Sequence, residues 1–348
     1  MSRIGIAILS FAHGHVNAYC HQIARFADAR LVAAWDDNLE RGRSLAEQFG
    51  MMFSPHLEDI LGRADVDAVI IASETNKHAD LCVAAAAAGK AILLQKPMAL
   101  TLADCDRIIA AVERTGVSFQ MAFQMRCDPV NQKMVELVHG GTLGKIGVVR
   151  RRHCINFLFH PPTGPTAWHI DPTANMGMFM DDAVHAADFL YWLLGEPVSV
   201  MAEIDNVLTR VAPDDTGIAL YRFSGGTMAI LFNSSVILAG ENTTEIYGDR
   251  GVLIQNHDDA VSTAMTTPHS VALRLYRRGQ PATWMHFPFR IPRSHGDRIA
   301  AVPRPWIDML QSGSAPACGA REGKVSVAMI LGAYRSAAEG QRVNFPLD

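Results

Sequence analysis

What most limits the fold of this chain is the alternation in its first 120 residues, where apolar runs of strand length trade places with helical patterns. Strand-like runs fall at 4–9, 31–35, 67–72, 91–94 and 117–123, and helical patterns at 16–26, 39–49, 79–88 and 102–115. The run Ala68-Val69-Ile70-Ile71 is apolar at consecutive positions, as a strand buried on both faces of a parallel sheet requires. Gly89 stops the third helical pattern as a C-terminal cap would, and Ile108, Ile109 and Val112 recur at helical spacing in the fourth. Strand–helix alternation with short connections implies right-handed crossovers and a doubly wound α/β parallel sheet. That sheet is expected to occupy residues 1–122.

The texture changes from residue 123 onward. A helical pattern at 131–140 leads to a long strand at 146–157, a loop at 160–166 rich in Pro, Gly and Thr, and a helix at 181–194 ended by Gly195. Runs with strand alternation follow at 198–204, 216–223, 227–236, 243–247 and 252–255, and Gly225-Gly226 between two of them is a hairpin signal. With a closing helix at 325–339, residues 123–348 read as an α+β domain with a large, mainly antiparallel, open sheet.

Bulk properties exclude several roles. The chain of 348 residues is 49% hydrophobic and 19% charged, a globular balance with room for two domains. A net charge of −4 without a Lys/Arg block argues against nucleic acid or an acidic membrane as the main partner. A strand starts at Ile4 with no basic, apolar leader before it, so a cytoplasmic protein is expected. The six cysteines show no paired spacing and read as reduced, buried small residues rather than disulfides or a zinc site.

Four stretches bear chemistry. The run Ala91-Ile92-Leu93-Leu94 ends in Gln95-Lys96-Pro97, which places Lys96 at the carboxyl end of a strand, where open α/β sheets bind ligands. From position alone Lys96 is either a surface residue or a fixed cation in a cleft. The first strand-to-helix turn reads Ser10-Phe11-Ala12-His13-Gly14-His15 and lacks the Gly-x-Gly-x-x-Gly of dinucleotide folds. Its small residues still let backbone approach a pyrophosphate at the helix start, and an ordinary turn is the competing reading. His13-x-His15 without a third ligand is read as a helix-start feature rather than a metal site. Asp36, at the end of the second strand and about 20 residues past that turn, is placed to accept from a ribose 2′-hydroxyl and to repel a 2′-phosphate. This favours NAD over NADP against the alternative of a solvated turn acid. Finally, Asp181, His185 and Asp188 share one helix face, with Asp182 off it. A carboxylate one turn away can fix a histidine's tautomer for proton transfer.

Taken in order, these pieces resemble the glucose–fructose oxidoreductase/inositol dehydrogenase/rhizopine-catabolism (Gfo/Idh/MocA) oxidoreductases over nearly the whole chain. The resemblance is carried by Gly89-Lys90, Gln95-Lys96-Pro97 where the family reads Glu-Lys-Pro, 123–129 (Phe-Gln-Met-Arg-Cys-Asp-Pro), 143–147 (Leu-Gly-Lys-Ile-Gly), Trp168, and Asp181-x-x-x-His185-x-x-Asp188. The chain departs from the pattern at Ser73-Glu74-Thr75-Asn76-Lys77-His78, for Thr-Pro-Asn-x-x-His, and at Trp168-His169, for Trp-Arg.

The resemblance implies a Rossmann-type domain with a nicotinamide cofactor, NAD in preference to NADP, near Ser10, Phe11, Ala12, His13, Asp36, Ser73, His78, Gln95 and Lys96. It implies Lys96, Asp181 and His185 as the catalytic set and Arg126, Trp168, His169 and Asp188 as substrate contacts. It further implies a small polyol substrate and a homodimer or homotetramer built through the open C-terminal sheet. The expected activity is NAD(P)-dependent oxidation or reduction of a secondary alcohol of a sugar or cyclitol. An NAD-assisted glycosidase or lyase and a non-catalytic ligand sensor are the alternatives on the same scaffold.

Overall fold

The structure is a computed structural model that describes residues 3–160, 163–238, 242–255, 271–279, 283–290 and 295–347. Residues 161 and 162 of the expected Pro/Gly/Thr loop lie outside the described residues. The chain divides into two compact units, one of residues 1–124 with 298–324 and one of 125–297 with 325–348. A single cut at 122/123 had been expected. Residues 298–324 join the first unit as well.

The first unit runs β1 (Ile4–Leu9), α1 (His15–Ile23), β2 (Ala29–Trp35), α2 (Leu39–Gln48), β3 (Met52–Phe53), α3 (Leu57–Leu61), β4 (Ala68–Ile71), α4 (His78–Ala87), β5 (Ala91–Leu94), α5 (Leu102–Thr115) and β6 (Phe119–Met121). All six strands are parallel, in the order β3-β2-β1-β4-β5-β6. Ile6 to Leu9, Ala68 to Ile71 and Ile92 to Leu94 are fully buried, because helices cover both faces of a doubly wound sheet. The strand order reverses direction between β1 and β4. Their carboxyl ends therefore open the crevice in which such sheets bind ligands.

The second unit contributes α6 (Pro129–His139), β7 (Ile146–Cys154), α7 (Pro172–Asn175), α8 (Met178–Leu194), β8 (Pro197–Asp205), β9 (Thr216–Phe223), β10 (Met228–Ser234), β11 (Asn242–Gly248), β12 (Gly251–Gln255), β13 (Leu273–Arg277) and β14 (Met285–Phe287). After α9 (His295–Ala300), the helix α10 (Pro303–Ser312) belongs to the first unit, and α11 (Ala320–Glu339) and β15 (Val343–Asn344) end the chain. The sheet has nine strands in the order β14-β13-β12-β11-β7-β10-β9-β8-β15, antiparallel except for the β7/β10 pair. Gly225 and Gly226 both take positive φ, 77° and 89°, which is what the tight β9–β10 hairpin needs.

Helix α8 packs on β7, β9 and β10, and its first turn is held from outside. The Asp214 carboxylate accepts from the Phe179 N–H at 2.7 Å and from the Tyr334 hydroxyl at 2.7 Å, while Met180 N–H donates to Tyr334 Oη at 3.1 Å. Gly177 precedes the helix, and a Cβ there would lie 2.0 Å from Asp214 Oδ2. The glycine is required by that close approach, since its φ of 178° is ordinary extended backbone.

Candidate active site

In the first unit the expected cofactor residues lie in the segments after the carboxyl ends of the strands, His78 at the start of α4, and backbone bonds tie these turns together. Ser10 N–H donates to Trp35 O at 2.7 Å, His13 N–H to Ala72 O at 2.9 Å and Gln95 N–H to Ile71 O at 3.0 Å. Ser10 takes φ of 72°, the left-handed conformation that glycine adopts without cost. Its hydroxyl offsets the strain by accepting from Ala12 N–H at 3.2 Å and joining Asp36 Oδ2 at 3.3 Å. So the backbone path of a glycine-rich turn is kept without the glycines. Ala12 is buried and small, and the α1 N-cap Gly14 carries no side chain, while the first-turn N–H groups of His15, Val16 and Asn17 turn back onto His13 and Gly14. These residues fit a dinucleotide pyrophosphate.

Asp36 is where the sequence placed it, and its carboxylate is heavily engaged by its own turn. The residue is fully buried. Its carboxylate accepts from Phe11 N–H at 2.8 Å, Asn38 N–H at 2.9 Å, Arg41 Nε at 2.9 Å and an Arg41 terminal nitrogen at 2.6 Å, beside the Ser10 hydroxyl. About four lone-pair sites serve a carboxylate, so a ribose hydroxyl would have to displace one of these donors. Asp36 is a strut that braces the Ser10–Phe11 turn against α2. Sequence reading missed Arg41, whose signal is its place on α2, five residues after that acid.

Gln95 and His78 brace the lysine turn. Gln95 is fully buried and donates through Nε2 to the Tyr19 hydroxyl at 2.8 Å. An amide can do this where a carboxylate could only accept. His78, also fully buried, has Nδ1 2.8 Å from Pro97 O and Nε2 3.3 Å from Ser73 O. Burial pushes its pKa down to about 4, against the opposing pull of those carbonyls. A neutral ring has one N–H, and the shorter contact assigns it to Nδ1. His78 thus links the turns after β4 and β5. It is fully buried, and its side chain braces these two turns. Lys96 itself is only 3% exposed, which removes the surface reading.

In the second unit, the α8 stripe is buried along its length, with Asp181, His185 and Asp188 all under 4% exposed. Further side chains meet it from outside the helix. Asp181 Oδ2 lies 2.8 Å from His169 Nδ1, and the His169 ring stacks on Trp168 with centroids 3.8 Å apart. His185 stacks on His153 of β7 at 5.2 Å. Asp182, off the stripe, accepts from Ser235 Oγ at 3.2 Å. Arg126 and Asp188 form a buried pair through Nε–Oδ1 at 3.1 Å, Nε–Oδ2 at 2.9 Å and a terminal nitrogen to Oδ1 at 2.7 Å. The Arg126 guanidinium also lies over the Trp192 ring, 5.3 Å from its centroid. Their charges neutralise each other, and the pair ties α8 to the turn before α6.

A classic 3-2-1-4-5-6 parallel sheet whose crevice turn retains the left-handed step marks a dinucleotide-binding enzyme unit, here joined to a second, sheet-rich unit. Residues 4–123 match the profile described as oxidoreductase family, NAD-binding Rossmann fold, and residues 131–254 match the GFO/IDH/MocA C-terminal domain. The chain belongs to the Gfo/Idh/MocA family of NAD-binding oxidoreductases. It is 26% identical over 325 residues to a myo-inositol 2-dehydrogenase of Thermotoga maritima, covering 91% of each chain. It is 27% identical over 324 residues to an inositol 2-dehydrogenase of Rhizobium meliloti, covering 91% of this chain and 92% of that one. Among solved structures, levoglucosan dehydrogenase in complex with NADH superposes with a TM-score of 0.85 at 19% identity over all of both chains, a likeness of fold.

Proposed function

We propose that the protein is an NAD-dependent dehydrogenase that oxidises a secondary alcohol of a sugar, cyclitol or related polyol. The observation that carries this reading is the lysine turn. A buried cation stands at the carboxyl end of β5, held on one side by Gln95–Tyr19 and on the other by His78–Pro97. The inositol dehydrogenases to which the chain is similar over 91% of its length support the substrate class.

In this reading NAD, when bound, supplies the hydride acceptor. His185 accepts the hydroxyl proton, and Asp181 keeps the acid–base group in place together with His169. Lys96 stabilises the developing alkoxide as a preorganised cation. Trp168 offers an aromatic ring beside His169. We further take the enzyme to be cytoplasmic, in keeping with six free cysteines. We take it to form a homodimer or homotetramer through the open sheet face, where Met201 and Ile218 are 42% and 50% exposed.

The test is turnover of the purified protein with NAD and a panel of polyols, followed by NADH absorbance. Lys96→Ala and His185→Ala should each lower kcat by about 10²- to 10⁴-fold with the circular dichroism of the wild type. Near-wild-type turnover in either variant sinks the assignment. Substrate cleavage without NADH accumulation would replace the dehydrogenase by the NAD-assisted lyase or glycosidase.

A further inference from the structure

With Asp36 heavily engaged by its own turn, the choice between NAD and NADP falls to other groups on the adenosine side. The residue that follows it opens a lattice of charges across two turns of the first unit. Asp37, 37% exposed at its side chain, accepts from Lys77 Nζ and from an Arg41 terminal nitrogen at 3.3 Å. Lys77 Nζ also donates to Glu74 Oε2 at 2.9 Å, and Glu74 Oε1 is 3.7 Å from the other Arg41 terminal nitrogen. Each cation is therefore shared by at least two carboxylates. Burial acts against the charged forms of Lys77 and Arg41, yet their pKa values are raised because the neighbouring acids outweigh it.

Arginine and lysine at this corner of a Rossmann fold are the groups that accommodate a 2′-phosphate, and an acid is the group that repels one. Here both kinds are present and paired. Three carboxylates, those of Asp36, Asp37 and Glu74, stand against two cations, so a doubly charged phosphate meets a cluster with a net charge of −1 whose positive groups are already engaged. Asp37 can turn an oxygen to a ribose hydroxyl because it is partly exposed. Asp36 would first have to give up a donor.

We propose that Asp37 and Glu74 determine the cofactor preference by sequestering Lys77, a latent 2′-phosphate ligand, while Arg41 stays engaged by Asp36. This rests on the NAD-binding reading and deepens it. The chain is one or two substitutions away from accepting NADP, and the determinant is the pairing of that lysine rather than its absence.

The probes are ADP and 2′,5′-ADP, titrated calorimetrically into the full-length protein, so that no substrate is needed. The wild type should bind ADP in preference to 2′,5′-ADP. In Asp37→Asn/Glu74→Gln the affinity ratio of 2′,5′-ADP to ADP should rise about tenfold or more, each tenfold step being about 1.4 kcal/mol. Adding Lys77→Gln should take back most of that gain. Asp37→Asn alone should show part of it, and thermal melts check that each variant is folded. A double-variant ratio that rises by less than that, or a gain that survives Lys77→Gln, overturns the proposal. If neither nucleotide binds the wild type, it is the cofactor reading that fails.

Discussion

Acid should loosen the lysine turn through one side chain. His78 is fully buried and neutral, with its pKa pushed down to about 4 by burial. In the unfolded chain the same ring titrates near 6.5. As pH falls through 6.5 the unfolded chain takes up a proton that the folded protein refuses, so the native state loses stability progressively down to about pH 4. Above pH 6.5 the contribution is fully present. With each pKa unit worth about 1.4 kcal/mol, the loss reaches about 2 kcal/mol at pH 5 and about 3 kcal/mol at pH 4. The perturbation that isolates it is His78→Asn. The amide nitrogen can still donate to Pro97 O, but it does not titrate. Urea unfolding of the wild type and the variant at several pH values from 8 to 4.5 gives two stability curves whose other titrating groups cancel in the difference. That difference should change by about 2 kcal/mol between pH 7.5 and 5, in the variant's favour at low pH. Parallel curves would refute the assignment of a buried neutral imidazole at this turn.

The Arg126–Asp188 pair separates structure from substrate binding. Asp188→Asn strands a buried guanidinium and should cost about 3–5 kcal/mol, most of it recovered in Arg126→Met/Asp188→Leu. Urea unfolding checks this, and a rise in KM without loss of stability would mark a substrate role instead. Gly177→Ala should displace the Asp214 carboxylate from the start of α8 and cost about 1–2 kcal/mol, the worth of a helix cap. In an Asp214→Ala background the same change should cost much less, which thermal unfolding of the two pairs will show.

Much of the first unit was legible because a parallel sheet buried on both faces writes itself as consecutive apolar residues. Ile4–Leu9, Ala91–Leu94 and Leu102–Thr115 have the bounds that were read. The short β3 and α3 were not read, since two and five residues carry too little periodicity. In the second unit, β13 and β14 were missed, being short strands at one end of the sheet. The site was legible as a set of positions but not as a set of partners. Helical spacing puts Asp181 and His185 on one face, but that His169 also meets the carboxylate follows from a 3-10 segment whose path no periodicity encodes. Asp36 shows the same limit. Its spacing from the first turn was right, and its engagement by Arg41 and two backbone N–H groups depends on turn geometry alone.

The return of residues 298–324 to the first unit bears on how the molecule is made. Met121 N–H at the edge strand β6 donates to Cys318 O at 2.9 Å, and Gln120 Oε1 accepts from Ala317 N–H at 3.1 Å. Arg304 grips Asp28 through two bonds of 2.9 and 3.0 Å, and Trp306 is fully buried. A ribosome delivers residues 1–124 first, but the dinucleotide unit must then wait, one sheet edge uncovered, while most of the nine-stranded unit is translated. Folding of this enzyme is therefore not strictly vectorial. A fragment ending at residue 124 should be a poor nucleotide binder and prone to self-association through β6, because the segment that closes that edge is translated only after most of the second unit's sheet.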